Sequence, residues 1–523
     1  MADVVREIER KYEATDGTGL GGLPELGGLP GVASVVDKEP FELDATYYDT
    51  EDQRLAQGHV TLRRRVGGQD AGWHLKLPAD PKDPGVRDEV HAPVADELPA
   101  ALASLVRSRV RGEPLLPVMR LRQRRTVREL RDADGVPLAE VGVDEVRAER
   151  YGPGGGTAAW TEIEAELGQG QDPALLDAID ARLRDAGLRR SSAPSKLRRA
   201  LDETAPKAEK KHRKHRKSRR KGPPELDGAR GETAADVVMA YVRAQVTAVV
   251  ELDPAVRRDV DDSVHRMRVA TRRLRSAFRS YGAVLDRSVT RPVGEELKWL
   301  AAELGVDRDR EVLTARLAER LAEVPRPLRL GPVSGRLRTF SHARRTGSRR
   351  HLLAVLDGAR HLELLTTLDA LAVHPPLRVK SAAKPPEEVI RKAVRRDYDR
   401  LAAHIGEALA APPGDERDLA VHEARKCAKR ARYAAEAARP AFGRDAKRFV
   451  SRMTELQELL GDHQDSVVAR LALRDLAGQA HAAGEPSFTY GLVYAREREI
   501  AAEREAALPG LWSAIMRDAA SFP

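Results

Sequence analysis

The amino-acid sequence predicts an α+β protein of several domains, with an N-terminal eight-stranded antiparallel β-tunnel and a C-terminal all-α domain. Before residue 205, short runs that alternate apolar and polar residues are separated by Gly and Pro, which is typical of strands. After it, the chain is rich in Ala, Leu and Arg at helical spacing. A chain of 523 residues is also too long for one hydrophobic core.

The tunnel domain is expected over 1–202. Its candidate strands lie at 5–12, 44–50, 60–66, 72–78, 86–91, 118–130, 136–147 and 159–167, and short helices are predicted at 97–108 and 173–187. About eight antiparallel strands can close into a barrel whose lumen holds side chains or one small ligand. The Gly-rich segment 19–31 is predicted to be a loop, and it lacks the Gly-Lys-Ser/Thr of a phosphate-binding P-loop.

A basic linker is expected at 203–230, between the two domains. The run 207–232 contains almost no apolar residues, which predicts disorder. It is either a solvated tether or a tail that gathers polyanions.

The helical domain is expected over 231–523. Amphipathic helices are predicted at about 233–252, 256–282, 293–304, 308–323, 350–372, 386–410, 417–438, 444–460, 463–483 and 489–507. Prolines at 292, 325, 327, 375, 376, 412, 413, 440 and 486 are predicted to lie between them, because proline ends helices. An internal duplication predicts two related helical-bundle halves, at about 231–375 and 386–523.

The amino-acid composition limits the kinds of ligand that the protein is expected to bind. The formal net charge of +9 favours anions, and the aromatic content of 4% disfavours single-stranded nucleic acid, which stacks on exposed rings. Cys427 is the single cysteine, so the chain forms no internal disulfide. No stretch approaches the ~20 apolar residues of a membrane span, and the N-terminus has no apolar signal region, so a cytoplasmic location is expected.

Charged residues alternate along the candidate strands and so share faces. The acidic rows are Glu7 with Glu9, and Glu162 with Glu164 and Glu166; the basic rows are Arg63 with Arg65, His74 with Lys76, and Arg122 with Arg124. Such rows are usually the solvent face of a sheet. Their number, and the division between acidic terminal strands and basic middle strands, favour a site for a polyanion with Mg²⁺ or Mn²⁺.

The run EIERK at 7–11 resembles the E-x-E-x-K signature of CYTH domains, the triphosphate tunnel metalloenzymes. The resemblance continues in order through ATYYDT (45–50), TLRRR (61–65), GWHLKLP (72–78), VRDEV (86–90), LRQRRTVREL (121–130), EVGVDEV (140–146), WTEIEAEL (160–167) and SKLRRAL (195–201). It implies a tunnel that binds a triphosphate through basic side chains and one or two metal ions. Family members hydrolyse inorganic, thiamine or nucleoside triphosphates, and some cyclise ATP.

The resemblance also implies residue roles. The implied metal ligands are Glu7, Glu9, Glu164 and Glu166, with Glu162 in support. The implied phosphate contacts are Lys11, Arg63, Arg65, Lys76, Arg87, Arg122, Arg124 and Lys196. Glu7, Glu9 and Lys11 are the expected catalytic residues, with Lys11 a candidate for polarising the attacking water.

The helical domain carries two similar segments, 264–282 and 421–438. In each, a His is followed by basic residues at three, seven and ten positions, which keeps them on one helix face. Each is followed by a second similar element, in which Leu304-Gly305 and Asp309 match Leu460-Gly461 and Asp465. Pairing of the halves would bring both basic helices to one groove, although an ordinary solvated basic face is the alternative.

This region resembles the CHAD family, α-helical domains linked to polyphosphate binding, over about 230–523. The resemblance implies that the basic helix faces bind polyphosphate. The implied contacts are His265, Arg268, Arg272, Arg273, Arg275, His422, Arg425, Lys426, Lys429 and Arg432.

Two functions are compatible with the sequence. The first is a metal-dependent triphosphatase whose helical domain docks on inorganic polyphosphate or tripolyphosphate, a role that would suit association with polyphosphate granules. The second is a non-enzymatic polyphosphate-binding sensor or scaffold. A nucleic-acid partner is disfavoured because no base-reading module is found.

Overall fold

The structure, a computed structural model, forms two compact units, Met1–Lys221 and Gly222–Pro523, called here the barrel unit and the helical unit. The described residues are 3–14, 19–68, 70–79, 83, 85–152, 155–206 and 233–518, without the side chains at 3, 306–309, 311, 341–347 and 518. The predicted linker therefore lies outside the described residues from 207 onward. The α+β fold class is confirmed.

A closed antiparallel barrel forms the barrel unit. Its strands are β1 Asp3–Glu13, β2 Ser34–Asp49, β3 Thr61–Val66, β4 Gly72–Pro78, β5 Val86–Ala92, β6 Leu116–Arg131, β7 Pro137–Arg150 and β8 Thr157–Leu167, with a two-residue β9 at Arg189–Arg190. The order is β5-β4-β3-β2-β6-β7-β8-β1, and β1 also pairs with β5, which closes the sheet. Eight strands leave a lumen that side chains line.

Strand β2 begins at Ser34, whereas the sequence predicted a start at 44. The pairing with β6 shifts between Lys38 and Phe41, around Pro40. This irregularity breaks the period-two alternation, which explains why the sequence pattern recognised only the second half of the strand.

The described part of the barrel unit contains four α-helices: α1 Arg54–Gln57, α2 Ala100–Val110, α3 Ala174–Asp185 and α4 Lys196–Glu203. Helix α3 packs on the outside of β8 through residues such as Ile179 and Leu183. The predicted loop 19–31 adds Leu23, Leu26 and Leu29 to the same apolar cluster, so its leucines cover the barrel wall.

The helical unit is built from ten helices in the described part of the chain. They are α5 Ala234–Arg257, α6 Ser263–Ser280, α7 Arg287–Glu303, α8 Gly305–Glu323, α9 Val333–Asp357, α10 Ala359–Val373, α11 Val379–Ala382, α12 Pro386–Ala410, α13 Asp415–Ala482 and α14 Phe488–Asp518. Its largest apolar cluster draws on both predicted halves, from Ala234 to Ile515. None of the described helices is long and apolar enough to cross a membrane.

Several predicted helix ends are wrong. Pro292 lies inside α7, and Pro440 lies inside α13. The predicted helices 444–460 and 463–483 are one continuous stretch of α13, which is interrupted instead at Gly443 (φ 51°). Pro440 thus lies near the interruption of α13, but the positive φ that interrupts the helix is adopted by Gly443.

Candidate functional site

Alternate residues of β1 point into the barrel. Glu7, Glu9 and Lys11 line a cavity of about 700 Å³. The residues between them point outward: the Arg10 guanidinium donates a hydrogen bond to the Leu176 carbonyl at 2.7 Å, and the Tyr12 hydroxyl donates one to Asp180 at 2.9 Å. The predicted division of β1 into an inward charged face and an outward face is therefore what the structure shows.

A row of carboxylates crosses three neighbouring strands at this cavity. Glu9 of β1 stands opposite Glu166 of β8, which stands opposite Glu140 of β7, and all three line the lumen. Like charges directly opposite each other destabilise a sheet unless a cation or a proton compensates them. Burial, followed by the charge of Glu7, raises the pKa of Glu166 to about 7. A cation bound beside Glu166 would therefore favour the charged form of this carboxyl group.

Lysine side chains pair with the other acidic residues of the lumen. The Lys11 ammonium lies 2.8 Å from Glu9 and also contacts Glu164, while Lys76 lies 2.5 Å from Glu7. Burial alone would raise the pKa of Glu9, but the Lys11 charge holds it below its ordinary value. The same two ion pairs raise the pKa of Lys11, so its ammonium stays charged at neutral pH.

Lys196, on the first turn of α4, lies among three buried carboxylates. Its Nζ is 2.9 Å from Asp144, 3.1 Å from Glu162 and 2.5 Å from Glu164. Asp144 was not among the predicted site residues, although it lies four positions after Glu140 on β7, a spacing that places both side chains on the same face of the strand.

A basic wall comes from β3 and β4. Arg63 lies 3.5 Å from Glu89 and 3.3 Å from the Tyr47 hydroxyl, and Arg65 contacts Asp70. Burial, followed by the charge of Arg63, lowers the pKa of Arg65 to about 9. A bound anion beside Arg65 would favour the charged form of this guanidinium.

The structure corrects two of the predicted phosphate contacts. Arg122 and Arg124 of β6 point out of the barrel; the Arg122 side chain is 59% exposed and lies 3.7 Å from Asp44 on the outer face. Gln123 and Arg125 line the cavity instead. Because Arg occurs at 122, 124 and 125, both faces of β6 carry basic residues. The sequence pattern alone selected the face that carries Arg122 and Arg124, which is the outer face of the barrel.

Arg125 reaches across β7 to the acidic side of the lumen. Its guanidinium lies 3.1 Å from Glu164 and 3.3 Å from Asp144. It passes over Gly142, where a Cβ would lie 3.1 Å from two of its nitrogens. The glycine therefore provides the space that this arginine occupies.

Arg87 is also buried in the lumen wall. One of its Nη atoms donates a hydrogen bond to the Pro194 carbonyl at 2.9 Å, just before α4. It thereby ties β5 to the chain that leads into that helix.

The carboxylates fit a divalent cation. The Oε2 of Glu7 and the Oδ1 of Asp144 are buried without a hydrogen-bond partner. Asp144, Glu162 and Glu164 are close enough to share an ion, but the Lys196 ammonium already lies among them, and the Trp160 Nε1 donates a 2.6 Å hydrogen bond to Glu162. Glu166 lies beside Glu7 and Glu9, and burial together with the charge of Glu7 raises its pKa to about 7, so a cation on this face would favour its charged form.

The helical unit brings its two basic helices together. The Arg268 guanidinium of α6 lies over Gly305 of α8, and a Cβ on that glycine would be 2.9 Å from it. In the second copy, Arg425 of α13 lies over Gly461, where a Cβ would be 3.4 Å from an Nη atom. The duplication in the sequence thus corresponds to a repeated Arg-over-Gly contact.

Four cations from these helices form one group, called here the cation cluster: Arg268, Arg272, Arg425 and Lys429. Burial, followed by the charges of the three arginines, lowers the pKa of Lys429 to about 7, while Asp465 acts in the opposite direction. The Nε of Arg272 is buried without a hydrogen-bond partner. An anion bound here would satisfy both the charge and the hydrogen-bonding capacity of the cluster.

Arg273 and Arg432 belong to a different network. Glu436 lies 2.9 Å from Arg273 and 3.4 Å from Arg432, and it accepts a hydrogen bond from the Tyr241 hydroxyl at 3.2 Å. Glu436 therefore offsets part of the charge of these two arginines within the protein.

The remaining predicted polyphosphate contacts differ in exposure. Lys426 is exposed and contacts Glu423 on its own helix. His422 lies 2.7 Å from Gln464, while His265 and Arg275 are half-buried on α6. The side chain of Asp309 lies outside the described residues.

Comparison with known proteins identifies both units. The CYTH domain model matches residues 5–201, and the CHAD domain model matches residues 240–474. Two proteins of Mycobacterium tuberculosis, named Uncharacterized protein MT2285 (strain CDC 1551 / Oshkosh) and Uncharacterized protein Rv2226 (strain H37Rv), are each 37% identical over 98% of this chain and 97% of their own length.

Solved structures also match parts of the chain. PptA from Streptomyces chartreusis aligns with a TM-score of 0.46 at 20% identity, over 54% of this chain and 100% of its own. The CHAD domain from the plant Ricinus communis aligns with a TM-score of 0.42 at 22% identity, over 56% of this chain and 95% of its own.

Proposed function

The chain belongs to the CYTH family through its barrel and to the CHAD family through its helical unit, and on that premise we propose that it is a metal-dependent triphosphatase that also binds polyphosphate. The observation that carries the proposal is the division of charge in one lumen. Carboxylates of β1, β7 and β8 face cations of β3, β4 and β6 around a single cavity.

Each side of the lumen has a distinct part in this proposal. Glu7, Glu9 and Glu166 would hold a Mg²⁺ or Mn²⁺ ion, which when bound offsets negative charge on phosphate oxygens. Arg63, Arg65, Lys76, Arg87 and Arg125 would bind the phosphate oxygens, and arginine can do so with two parallel hydrogen bonds.

Lys11 has an electrostatic part. Because its ammonium stays charged, it cannot take a proton from water. It can hold Glu9 and Glu164 in position and donate a hydrogen bond to an oxygen in the lumen. Lys11 can therefore polarise the attacking water as a hydrogen-bond donor, but it cannot act as the base that removes a proton from it.

The cation cluster of α6 and α13 would bind polyphosphate. Burial and three neighbouring arginines lower the pKa of Lys429, and such a group of cations binds best to a ligand with many closely spaced negative charges. A linear polyanion meets this requirement without any base-specific or sugar-specific contact.

A second candidate function, a non-enzymatic sensor or scaffold, is favoured by one observation. Glu7, Glu9 and Glu164 each already have a lysine partner, so the lumen is nearly charge-balanced by its own side chains. A protein that only binds a triphosphate could keep such a lumen.

Phosphate release from tripolyphosphate, ATP and thiamine triphosphate separates the two functions. The full-length protein is assayed with Mg²⁺, with Mn²⁺ and with a chelator. We expect release that requires the metal and is fastest with one substrate. No release from any of the three, with polyphosphate still bound, would favour the sensor and overturn the enzyme.

A further inference from the structure

The turn between β3 and β4 brings a carboxylate to the rim of the lumen. Arg65 is the last residue of β3 that lines the cavity, and the residue after it, Val66, is exposed. Asp70 follows in the turn and also lines the cavity. Its side chain is 56% exposed, and its carboxylate contacts the Arg65 guanidinium. The outermost arginine on the inward face of β3 therefore has an anionic partner that the protein itself supplies.

Two glycines fix the path of this turn. Gly67 and Gly68 have φ angles of +83° and +75°. A Cβ on Gly67 would lie 2.5 Å from the Glu42 carbonyl oxygen, and one on Gly68 would lie 2.8 Å from the Leu43 side chain. Glycine satisfies both the backbone conformation and the close contact with β2. The backbone therefore holds the turn against the barrel wall.

His74 holds the other side of the turn. Its Nε2 donates a hydrogen bond to the Asp70 carbonyl at 2.8 Å, since a carbonyl oxygen can only accept, and its ring is buried. The main chain at Asp70 is thus anchored to a side chain of β4. The carboxylate can still turn away from Arg65 into solvent, by rotation about the side-chain bonds of Asp70. A ligand can therefore replace the carboxylate without moving the turn.

The Arg65 guanidinium is a good partner for a phosphate. The residue is buried, and its Nε has no hydrogen-bond partner among the described residues. Ion pairs with a largely exposed carboxylate are weak. A terminal phosphoryl group carries about two negative charges and three acceptor oxygens, so it binds a guanidinium more strongly than a carboxylate does. A phosphate can therefore displace Asp70 from this arginine.

The lysine of the same wall lies deeper in the lumen. Lys76 pairs with Thr61 in the register of β3 and β4, and Thr61 lies four residues before Arg65, which is about 13 Å along the strand. Lys76 also lies 2.5 Å from Glu7, on the face proposed to hold the metal ion. A short phosphate chain that starts at this face can contact Lys76 without reaching Arg65, whereas a longer chain meets Asp70.

We propose that Asp70 is a specificity-determining residue, whose carboxylate occupies the outermost phosphate subsite of the empty lumen. A phosphate chain that is long enough to reach Arg65 must displace this carboxylate, and a shorter anion need not. Asp70 thus lowers the affinity for tripolyphosphate selectively, and it narrows the difference in affinity between tripolyphosphate and diphosphate. This inference rests on the proposed function, in which the lumen binds a triphosphate.

Asp70→Asn tests the proposal, with Asp70→Glu as the variant that keeps a carboxylate. Calorimetry with Mg²⁺ measures the binding of methylene-bridged analogues of tripolyphosphate and diphosphate, which are not hydrolysed, to the full-length proteins. Phosphate release from tripolyphosphate gives KM and kcat. We expect Asp70→Asn to tighten binding of the tripolyphosphate analogue and to lower KM by up to about fivefold, the upper strength of an exposed ion pair, with kcat unchanged. Binding of the diphosphate analogue should stay at the wild-type value, and Asp70→Glu should resemble wild type.

Asp96→Asn is the matched control. Asp96 lies 3.1 Å from Arg64, the neighbour of Arg65 whose side chain lies on the outer face of β3. This variant therefore removes an exposed carboxylate from an aspartate–arginine pair of the same strand, outside the lumen. It should leave KM and both affinities at their wild-type values.

The outcomes separate this inference from the function on which it rests. Unchanged binding of the tripolyphosphate analogue to Asp70→Asn would overturn the role of Asp70. Equal tightening of both analogues would also overturn it, because the loss of one nearby negative charge is then sufficient. If none of the proteins releases phosphate, but Asp70→Asn binds the tripolyphosphate analogue selectively more tightly, the triphosphatase function is overturned and the subsite assignment stands.

Discussion

The barrel lumen and the cation cluster both present basic residues to a ligand, but they differ in charge balance. In the lumen, Lys76 lies 2.5 Å from Glu7 and Lys11 lies 2.8 Å from Glu9. In the cluster, Lys429 is surrounded mainly by Arg268, Arg272 and Arg425, and its pKa falls to about 7.

This difference indicates two modes of anion binding. In the lumen a ligand would compete with internal ion pairs, so a phosphate that entered with a divalent cation would preserve the balance of charge. Around Lys429 the neighbouring arginines outweigh Asp465, so an anion bound beside Lys429 would favour its charged form. We therefore expect catalysis to depend on metal and docking to depend on salt.

The largest expected effect comes from removing charge on the acidic side of the lumen. Glu7→Gln with Glu9→Gln should reduce metal-dependent phosphate release by about 100-fold or more, because the remaining side chains no longer hold a cation. Polyphosphate binding by the helical unit should be unchanged in the same variant. Initial rates of release, together with a binding isotherm for long-chain polyphosphate, measure both effects.

A matched control for this double variant lies on the outer face of β7. Glu145 and Glu149 are exposed there, so Glu145→Gln with Glu149→Gln makes the same chemical change away from the lumen. It should keep the wild-type rate. Unchanged release from the Glu7/Glu9 variant would show that the site has been assigned to the wrong carboxylates.

A smaller effect is expected in the helical unit. Arg268→Ala with Arg425→Ala removes two cluster cations, and binding of long-chain polyphosphate should weaken by about 100-fold, since hydrogen bonds to charged groups are the strong ones. The slope of log affinity against log salt should fall by about two, one unit for each lost phosphate contact. Titrations at several salt concentrations measure both quantities.

Exposed arginines on the same helices provide the control. Arg266 and Arg439 point into solvent, so Arg266→Ala with Arg439→Ala removes the same net charge outside the cluster. If this pair lowers the salt slope as much as Arg268 and Arg425 do, total charge and not the cluster determines binding.

Much of the barrel could be predicted because its strands alternate cleanly. The placement of Glu7, Glu9 and Lys11 on one face of β1 follows from EIERK, since side chains alternate between two faces along a strand, and the number of charged rows and the family resemblance favoured the inward direction. On β6 the same rule could not choose between Arg124 and Arg125, because both faces carry arginine and register depends on partners elsewhere in the sheet. Lys38 of β2 also lines the cavity, but it lies before the irregularity in that strand, so the alternation of the second half of β2 does not assign its face.

The helical unit was predictable in its motifs but not in its pairings. The spacing that follows His265 and His422 placed the cations on one helix face. Only the structure separates Arg273, which Glu436 neutralises from a helix distant in sequence, from the arginines of the cluster. Whether an arginine has an acidic partner depends on tertiary contacts, so a pattern of basic residues in the sequence does not predict it.

The smallest expected effect is the pH dependence of polyphosphate binding that the protonation of Lys429 produces. In the free protein the Lys429 pKa is about 7, because burial and then Arg425, Arg272 and Arg268 disfavour its charged form, against a smaller opposing effect of Asp465. A bound polyanion favours the charged form, so binding above about pH 7 must take up a proton. Affinity should therefore fall as pH rises, by about tenfold between pH 6 and pH 8 for one linked proton.

Lys429→Arg isolates this contribution, because arginine stays charged over the whole range. The variant should bind as tightly as wild type at pH 6 and lose much less affinity at pH 8, while any titration of polyphosphate itself affects both proteins equally. Calorimetry in two buffers of different ionisation enthalpy would also detect the proton taken up by wild type at pH 8. Identical pH profiles for the two proteins would mean that Lys429 is already charged in the free protein, and that the cluster is balanced by groups other than the polyanion.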